Sequence, residues 1–248
     1  MRMGVNMKRK LIALSLCSFL ALTGCSSSKN QNVANNGGGD SGTTVENQAT
    51  PTPAAASDQL SLDDFSFTEY KLEDDYSTQF LVAVKNNSNV TISLSANATA
   101  YDANNQMLGA ADSSIDVLGS GEESVLFFYF DGVKGADHID YKDNLQYGID
   151  LYYQPVISNL SVQEAANANG LTVAITNNGS VPAEFVEVYA VYTDANGTPI
   201  EISSNYCVDS NSEIAPGATQ STTVDYYRDY DFGPYTNVTY YLTGRAEK

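Results

Sequence analysis

From about Leu60 to the C-terminus the chain writes one pattern twice: short runs of alternating apolar residues, punctuated by Asn, Asp and Gly. Alternation with a period of two marks a strand with one buried face, and no segment holds a 3.6-residue apolar period for three turns. Val82 and Val84 lead into Asn86-Asn87-Ser88; Val173 and Ile175 lead into Asn177-Asn178-Gly179, an offset of 91. Leu94, Ala96, Ala98 and Ala100 then share one face ahead of Asp102-Ala103-Asn104-Asn105. Val186, Val188, Ala190 and Tyr192 do the same ahead of Asp194-Ala195-Asn196-Gly197, now at an offset of 92. Leu118-Gly119-Ser120-Gly121 parallels Ile214-Ala215-Pro216-Gly217 at 96. The added residues must fall in turns, because a one-residue slip inside a strand would rotate its core face to solvent.

A strand is expected after each of these turns, Val125–Phe130 and Thr222–Tyr227, and each copy closes on an aromatic strand, Leu145–Tyr153 and Val238–Leu242. Val162–Ala168 comes closest to a helix, but Asn169-Gly170 follows directly and makes it a turn. Each copy is roughly 90 residues with about seven short strands, the size of an immunoglobulin-like β-sandwich. The expected fold is all-β: two tandem immunoglobulin-like β-sandwiches, 59–154 and 155–248, with Pro155 at the boundary. They follow a signal peptide (1–24) and a disordered tether (25–58).

The N-terminus reads as an address. Basic residues cluster in positions 1–10, and Leu11 to Ala21 is an apolar run of eleven. That run is too short to span the membrane as a helix, which takes about 20 residues. A charged region, a short apolar region and small residues before a boundary form an export signal, whether translation starts at Met1, Met3 or Met7. Ser26 to Ser57 is rich in Ser, Asn, Gly, Thr, Ala and Pro, with Val33 and Val45 as its only branched aliphatics. Such a stretch cannot offset the entropy of ordering and is expected to act as a flexible tether of about 30 Å mean reach.

The tetrapeptide Leu22-Thr23-Gly24-Cys25 resembles the lipobox of bacterial lipoproteins. The resemblance implies that Leu22, Thr23 and Gly24 direct cleavage and that Cys25 becomes the acylated first residue. The chain is then held in the cell membrane by its lipid (palmitate among the acyl chains) and faces the extracytoplasmic side. Two or more acyl chains hold where one would dissociate, at about 0.8 kcal/mol per buried CH₂. Cys17 leaves with the signal and Cys25 carries lipid, so Cys207 has no disulfide partner in the mature chain. The arrangement of Asn-Asn-Ser, an alternating strand, Tyr101-Asp102 with Asn105, then Ser120-Gly121 and a further strand, is similar to the FxLYD-type and related Ig-like domains of bacterial lipoproteins. Those domains are not enzymes, and the resemblance implies an extracellular binding or spacer role.

Charge narrows the partners. The chain carries 12 Lys+Arg against 30 Asp+Glu, a net charge of −18. Four of the basic residues (Arg2, Lys8, Arg9, Lys10) lie in the signal, leaving 8 against 30, a balance of −22. A nucleic-acid binder is excluded, since nothing here neutralises a run of phosphates. Cations or basic partners are favoured.

Candidate chemistry is sparse. Asp137, Asp140 and Asp143 surround the only His, His138, in a loop whose oxygens would suit Ca²⁺, although EF-hand spacing is missing and a single His is too few for zinc. Otherwise no cofactor is expected. In the second copy Asp225, Asp229 and Asp231 flank Arg228. Tyrosine is over-used, 17 in all, with pairs at Tyr152-Tyr153, Tyr226-Tyr227 and Tyr240-Tyr241. Neighbours on a strand point to opposite faces, so one of each pair is expected in the core and the other outside. Tyr230 and Tyr235, with Asp229 and Asp231, are the candidate contact residues for a protein or glycan partner. Paired carboxylates occur (Asp63-Asp64, Glu122-Glu123), but no nucleophile elbow, zinc-protease or phosphate-loop motif does. The expectation is a non-catalytic binding or adhesion module. A structural spacer or accessory subunit of an envelope complex, and a Ca²⁺-dependent binding module, remain as alternatives.

Overall fold

The first half of the body contributes β1 (Phe65–Glu73), β2 (Ser77–Asn86), β3 (Ile92–Tyr101), β4 (Met107–Leu118), β5 (Glu123–Asp131), β6 (His138–Asp140) and β7 (Gln146–Gly148). The second half contributes β8 (Tyr153–Gln154), β9 (Leu160–Ala166), β10 (Gly170–Asn177), β11 (Ala183–Glu184), β12 (Glu187–Thr193), β13 (Pro199–Tyr206), β14 (Glu213–Ile214), β15 (Thr219–Asp225), β16 (Asn237–Leu242) and β17 (Ala246–Glu247). The computed structural model describes residues 60–149, 151–167, 170–209, 212–227 and 234–248. The expected signal peptide (1–24) and tether (25–58), with the lipobox-like Leu22-Thr23-Gly24-Cys25, lie outside these residues, as do Arg228, Asp229, Tyr230 and Asp231.

The protein is all-β and every pairing is antiparallel. In the first half one sheet runs β1-β2-β5, and the facing sheet runs β4-β3 with β6 and β7 end to end along the far edge of β3. In the second half the orders are β9-β10-β15 and β13-β12-β16. The two halves therefore have the same core topology, strand for strand, as the duplicated pattern requires. Phe80, Val82 and Val84 of β2 meet Leu94, Ala96 and Ala98 of β3 in the first core. Val173 and Ile175 of β10 meet Val188, Ala190 and Tyr192 of β12 in the second.

Two local devices are repeated atom for atom. The Nδ2 of Asn86 donates to the carbonyls of Val90 and Leu118, and its Oδ1 accepts from the Ser88 amide. The Nδ2 of Asn177 donates to Val181 and Ile214, and its Oδ1 accepts from Gly179. Each Asn thus ties the end of its own strand to the segment that precedes the next, and both are buried. The tight turns these Asn residues reach, at Gly121 and Gly217, hold φ at +78° and +75°, where a Cβ is strained. The second device is the Asx turn at Asp102 and Asp194, whose Oδ1 atoms accept from the amides of Asn104 and Gln106 and of Asn196 and Thr198.

The outer faces of two sheets are buried as well. Leu81 and Ala83 of β2, Leu72 of β1 and Val125 of β5 pack against Val191 of β12, Ile202 of β13 and Tyr241 of β16. The sheets thus stack in four layers, with a third apolar cluster where the two sandwiches lie face to face. Ser124, fully buried, donates its hydroxyl to the Leu242 carbonyl across the same seam.

Two segments differ from the sequence expectation. Residues Leu160–Ala166, read in part as a turn, form strand β9, because β10 offers a complete ladder to that stretch. Partner availability outweighs the weak strand preference of Gln, Glu and Ala. Beyond the ladder, the Asn167 amide donates to the Gly170 carbonyl. The expected strand Leu145–Tyr153 is split: β7 pairs with β3, whereas β8 pairs with β17, so the last residues of that run join the second half.

Candidate functional site

The acidic loop of the first half does not form a chelating group. Asp137, Asp140 and Asp143 are all exposed, and among the described residues no three His, Cys, Asp or Glu side chains converge on a point. Asp137 lies 3.2 Å from the Nδ1 of His138, and the imidazole stacks on Tyr101 with ring centres 5.5 Å apart. Cys207 is half-buried against the second core just past the end of β13. Burial pushes its thiol above the usual value, which keeps it protonated and poorly nucleophilic at neutral pH.

Tyr235 is also half-buried. Its ring meets Tyr192 at 4.8 Å and Tyr226 at 5.3 Å, so the residue closes one end of the second core. The Tyr pairs divide in two ways. Tyr226 is buried and Tyr227 is 71 % exposed, as alternation predicts. Tyr240 and Tyr241, however, both find packing: Tyr240 against the second core and Tyr241 in the seam between sandwiches. Among the described residues, the exposed tyrosines are Tyr76, Tyr129, Tyr152, Tyr206 and Tyr227.

One concave site stands out at the junction, and it rests on Arg245, a residue that sequence reasoning passed over. Residues 244–245 follow β16, and the Arg245 backbone exchanges hydrogen bonds with Glu184 at 2.7 and 3.0 Å. This fixes the side chain between the two sandwiches. Its guanidinium lies between the rings of Tyr153, at 3.9 Å, and Phe185, at 4.0 Å, and pairs with Asp116 of β4. Its Nε is buried with no hydrogen-bond partner. Phe185 holds φ at +50°, an uncommon value for a bulky residue, and that backbone turn brings its ring over the guanidinium. Cation–π contacts of this kind are worth about 0.5–2 kcal/mol each, most when desolvated.

Three hollows meet at this clamp. A cleft of about 250 Å³ lies between β4 and β5 on one side and β12 and Tyr206 on the other. A second hollow shares Asp116 with it and runs beside Tyr147 and Tyr152, and a third shares Phe185 and Arg245 and is edged by Glu184, Glu213 and Glu247. In the cleft, Glu187 accepts the Tyr189 hydroxyl at 3.0 Å. The Glu187 charge is the leading reason that the phenol of Tyr206 is raised above its ordinary value, with burial and the charge of Asp116 adding to it. Burial first, then Glu187, raises Tyr189. Tyr206 therefore senses a carboxylate from each half of the protein.

No family model matches the chain, and no curated protein does. Among solved structures, red sea bream transglutaminase matches 73 % of this chain and 27 % of its own length, at 13 % identity and a TM-score of 0.24. The chain thus spans about a quarter of that enzyme. A likeness so weak decides nothing about activity.

Proposed function

We propose that this chain is a lipid-anchored extracytoplasmic lipoprotein whose β body, two tandem Ig-like sandwiches on a tether, works as a non-catalytic binding module. The observation that carries the anchoring is Leu22-Thr23-Gly24-Cys25, placed directly after a basic segment and an eleven-residue apolar run. The stretch from Ser26 to Ser57 would stand the body off from the bilayer. For the binding role, the support is the junction itself. Two sandwiches packed face to face shorten the protein, which suits a spacer poorly, and they create a cleft that neither forms alone. Exposed Tyr152 and Tyr206 lie on the walls of the hollows, the kind of amphipathic ring that anchors protein and glycan contacts.

The test is metabolic labelling with an alkyne fatty acid in a bacterial host. The expected result is label on the full chain, its loss in Cys25→Ser, and a shift of the variant from the membrane to the soluble fraction. A wild-type chain recovered unlabelled and soluble would overturn the anchoring.

A further inference from the structure

We propose that the junction groove docks a basic segment of a protein partner, one Lys or Arg side chain entering the cleft between Glu187 and Asp116. The proposal rests on the binding-module reading and names the chemistry of what binds.

Charge complementarity is the first argument. The walls of the three adjoining hollows bring Asp116, Glu184, Glu187, Glu213 and Glu247 together against the single guanidinium of Arg245. Arg245 is already paired with Asp116, so the groove keeps a net negative field. Concave walls of low dielectric focus such a field and raise the local concentration of cations. The second argument is an internal precedent. The Tyr153, Phe185 and Asp116 side chains hold a guanidinium now, by aromatic faces and one carboxylate. The cleft that this clamp edges adds Tyr189, Tyr206 and Glu187 to its walls, and Arg245 is its only cationic lining residue. Size is the third. The cleft itself, about 250 Å³, falls below the roughly 300–1,000 Å³ that encloses a drug-sized ligand, while the adjoining hollows, about 470 and 390 Å³, leave room for flanking residues. It suits one long side chain of a partner whose backbone runs along the outer hollows, past the 87 % exposed Tyr152.

The experiment uses the full acylated chain in detergent micelles and fluorescence anisotropy with three probes: an octa-arginine peptide, an octa-glutamate peptide and a neutral chito-oligosaccharide. The expected result is binding of the arginine peptide alone, weakened about tenfold between 50 and 500 mM salt. Glu187→Gln with Glu213→Gln is expected to weaken it about tenfold again. Asp63→Asn with Asp143→Asn removes the same charge from exposed sites elsewhere and is expected to change binding less than about twofold. Glu187→Gln keeps an acceptor for Tyr189, and Glu213→Gln alone, at an exposed position, serves if the pair fails to fold. Equal loss in both pairs would mean diffuse charge attraction and overturn the groove. Binding of the oligosaccharide in place of the peptide would overturn the basic partner while leaving the binding module standing. Failure of acyl labelling would touch only the anchor.

Discussion

The hydroxyls of Tyr70 and Tyr241 meet at 2.8 Å across the seam between the two sandwiches. Tyr70 lies on β1 and Tyr241 on β16, so this hydrogen bond joins the two halves directly. Burial first, then the bond to Tyr70, raises the Tyr241 phenol above its ordinary value. Tyr241→Phe removes one hydrogen bond while keeping the ring and should cost about 1 kcal/mol in urea unfolding. A double-mutant cycle with Tyr70→Phe should show the second change costing less than the first, because the partner hydroxyl is already gone. Additive losses would mean that the two hydroxyls do not act as a pair.

Buried phenols also set an alkaline limit. Tyr189, Tyr240 and Tyr241 are each raised, burial being the largest cause. A raised folded value means the neutral phenol is favoured in the fold, so stability is intact below the unfolded value near 10 and declines as pH rises through it. Absorbance at 295 nm should show the phenolates of Tyr189, Tyr240 and Tyr241 appearing only on alkaline unfolding. Their appearance near pH 10 while the protein is still folded would contradict the burial.

At the acid end, Asp102 and Asp194 act alike. Backbone amides, led by Gln106 for Asp102 and Thr198 for Asp194, hold their carboxyls below the ordinary value of 3.8. A lowered folded value means the stabilisation is present above that pH and is lost as pH falls through the folded value. Both side chains are partly exposed, so the effect is local and salt-sensitive. In carboxyl NMR titrations Asp102 and Asp194 should both titrate below 3.8, and Asp102→Asn with Asp194→Asn should leave a flatter acid limb below about pH 4.

The shared core strands of the two halves were legible because they are written in the residues that do the structural work. Asn86 and Asn177, and Asp102 and Asp194, are polar groups with fixed partners, and the spacing between them changes only in turns. The seam was less legible, although a trace of it exists. Phe80-Leu81-Val82-Ala83-Val84 and Val188-Tyr189-Ala190-Val191-Tyr192 are unbroken apolar runs, the mark of strands covered on both faces. Reading only their alternate members finds two cores and leaves out the third. The clamp left no trace of that kind. Asp116 and Arg245 are 129 positions apart and belong to no pattern, so their meeting follows only from how the halves dock. Tyr235 shows the opposite difficulty, since a tyrosine in a polar loop reads as a contact residue until its neighbours are known.

That neighbourhood makes Tyr235 a stability residue. With Tyr192 and Tyr226 it forms a three-ring cluster over the second core. Tyr235→Ala should therefore destabilise the protein by about 2–4 kcal/mol, near the lower part of the range for buried aromatic truncations, while Tyr152→Ala at an 87 % exposed site stays within about 0.5 kcal/mol. Thermal melts of the two variants separate the roles. An unchanged melt for Tyr235→Ala would return the residue to the surface.

The seam should make the body unfold as a unit. Leu81 is fully buried at its centre, on β2 between the first core and Val191. Leu81→Ala leaves a cavity and should cost about 2–5 kcal/mol, a loss felt by both sandwiches when they are coupled. Leu81→Asp places an unpaired carboxylate between two apolar faces, so docking rather than either core takes the penalty. Calorimetry should then show one transition for the wild type and two for Leu81→Asp, the second sandwich melting separately with Val173, Ile175 and Tyr192 still packed. Arg245→Ala, which removes the clamp at the rim of the same seam, should move the wild-type transition down without splitting it, because the apolar cluster remains. Two transitions already in the wild type would show that the sandwiches fold independently and that the cleft between them is not held rigid.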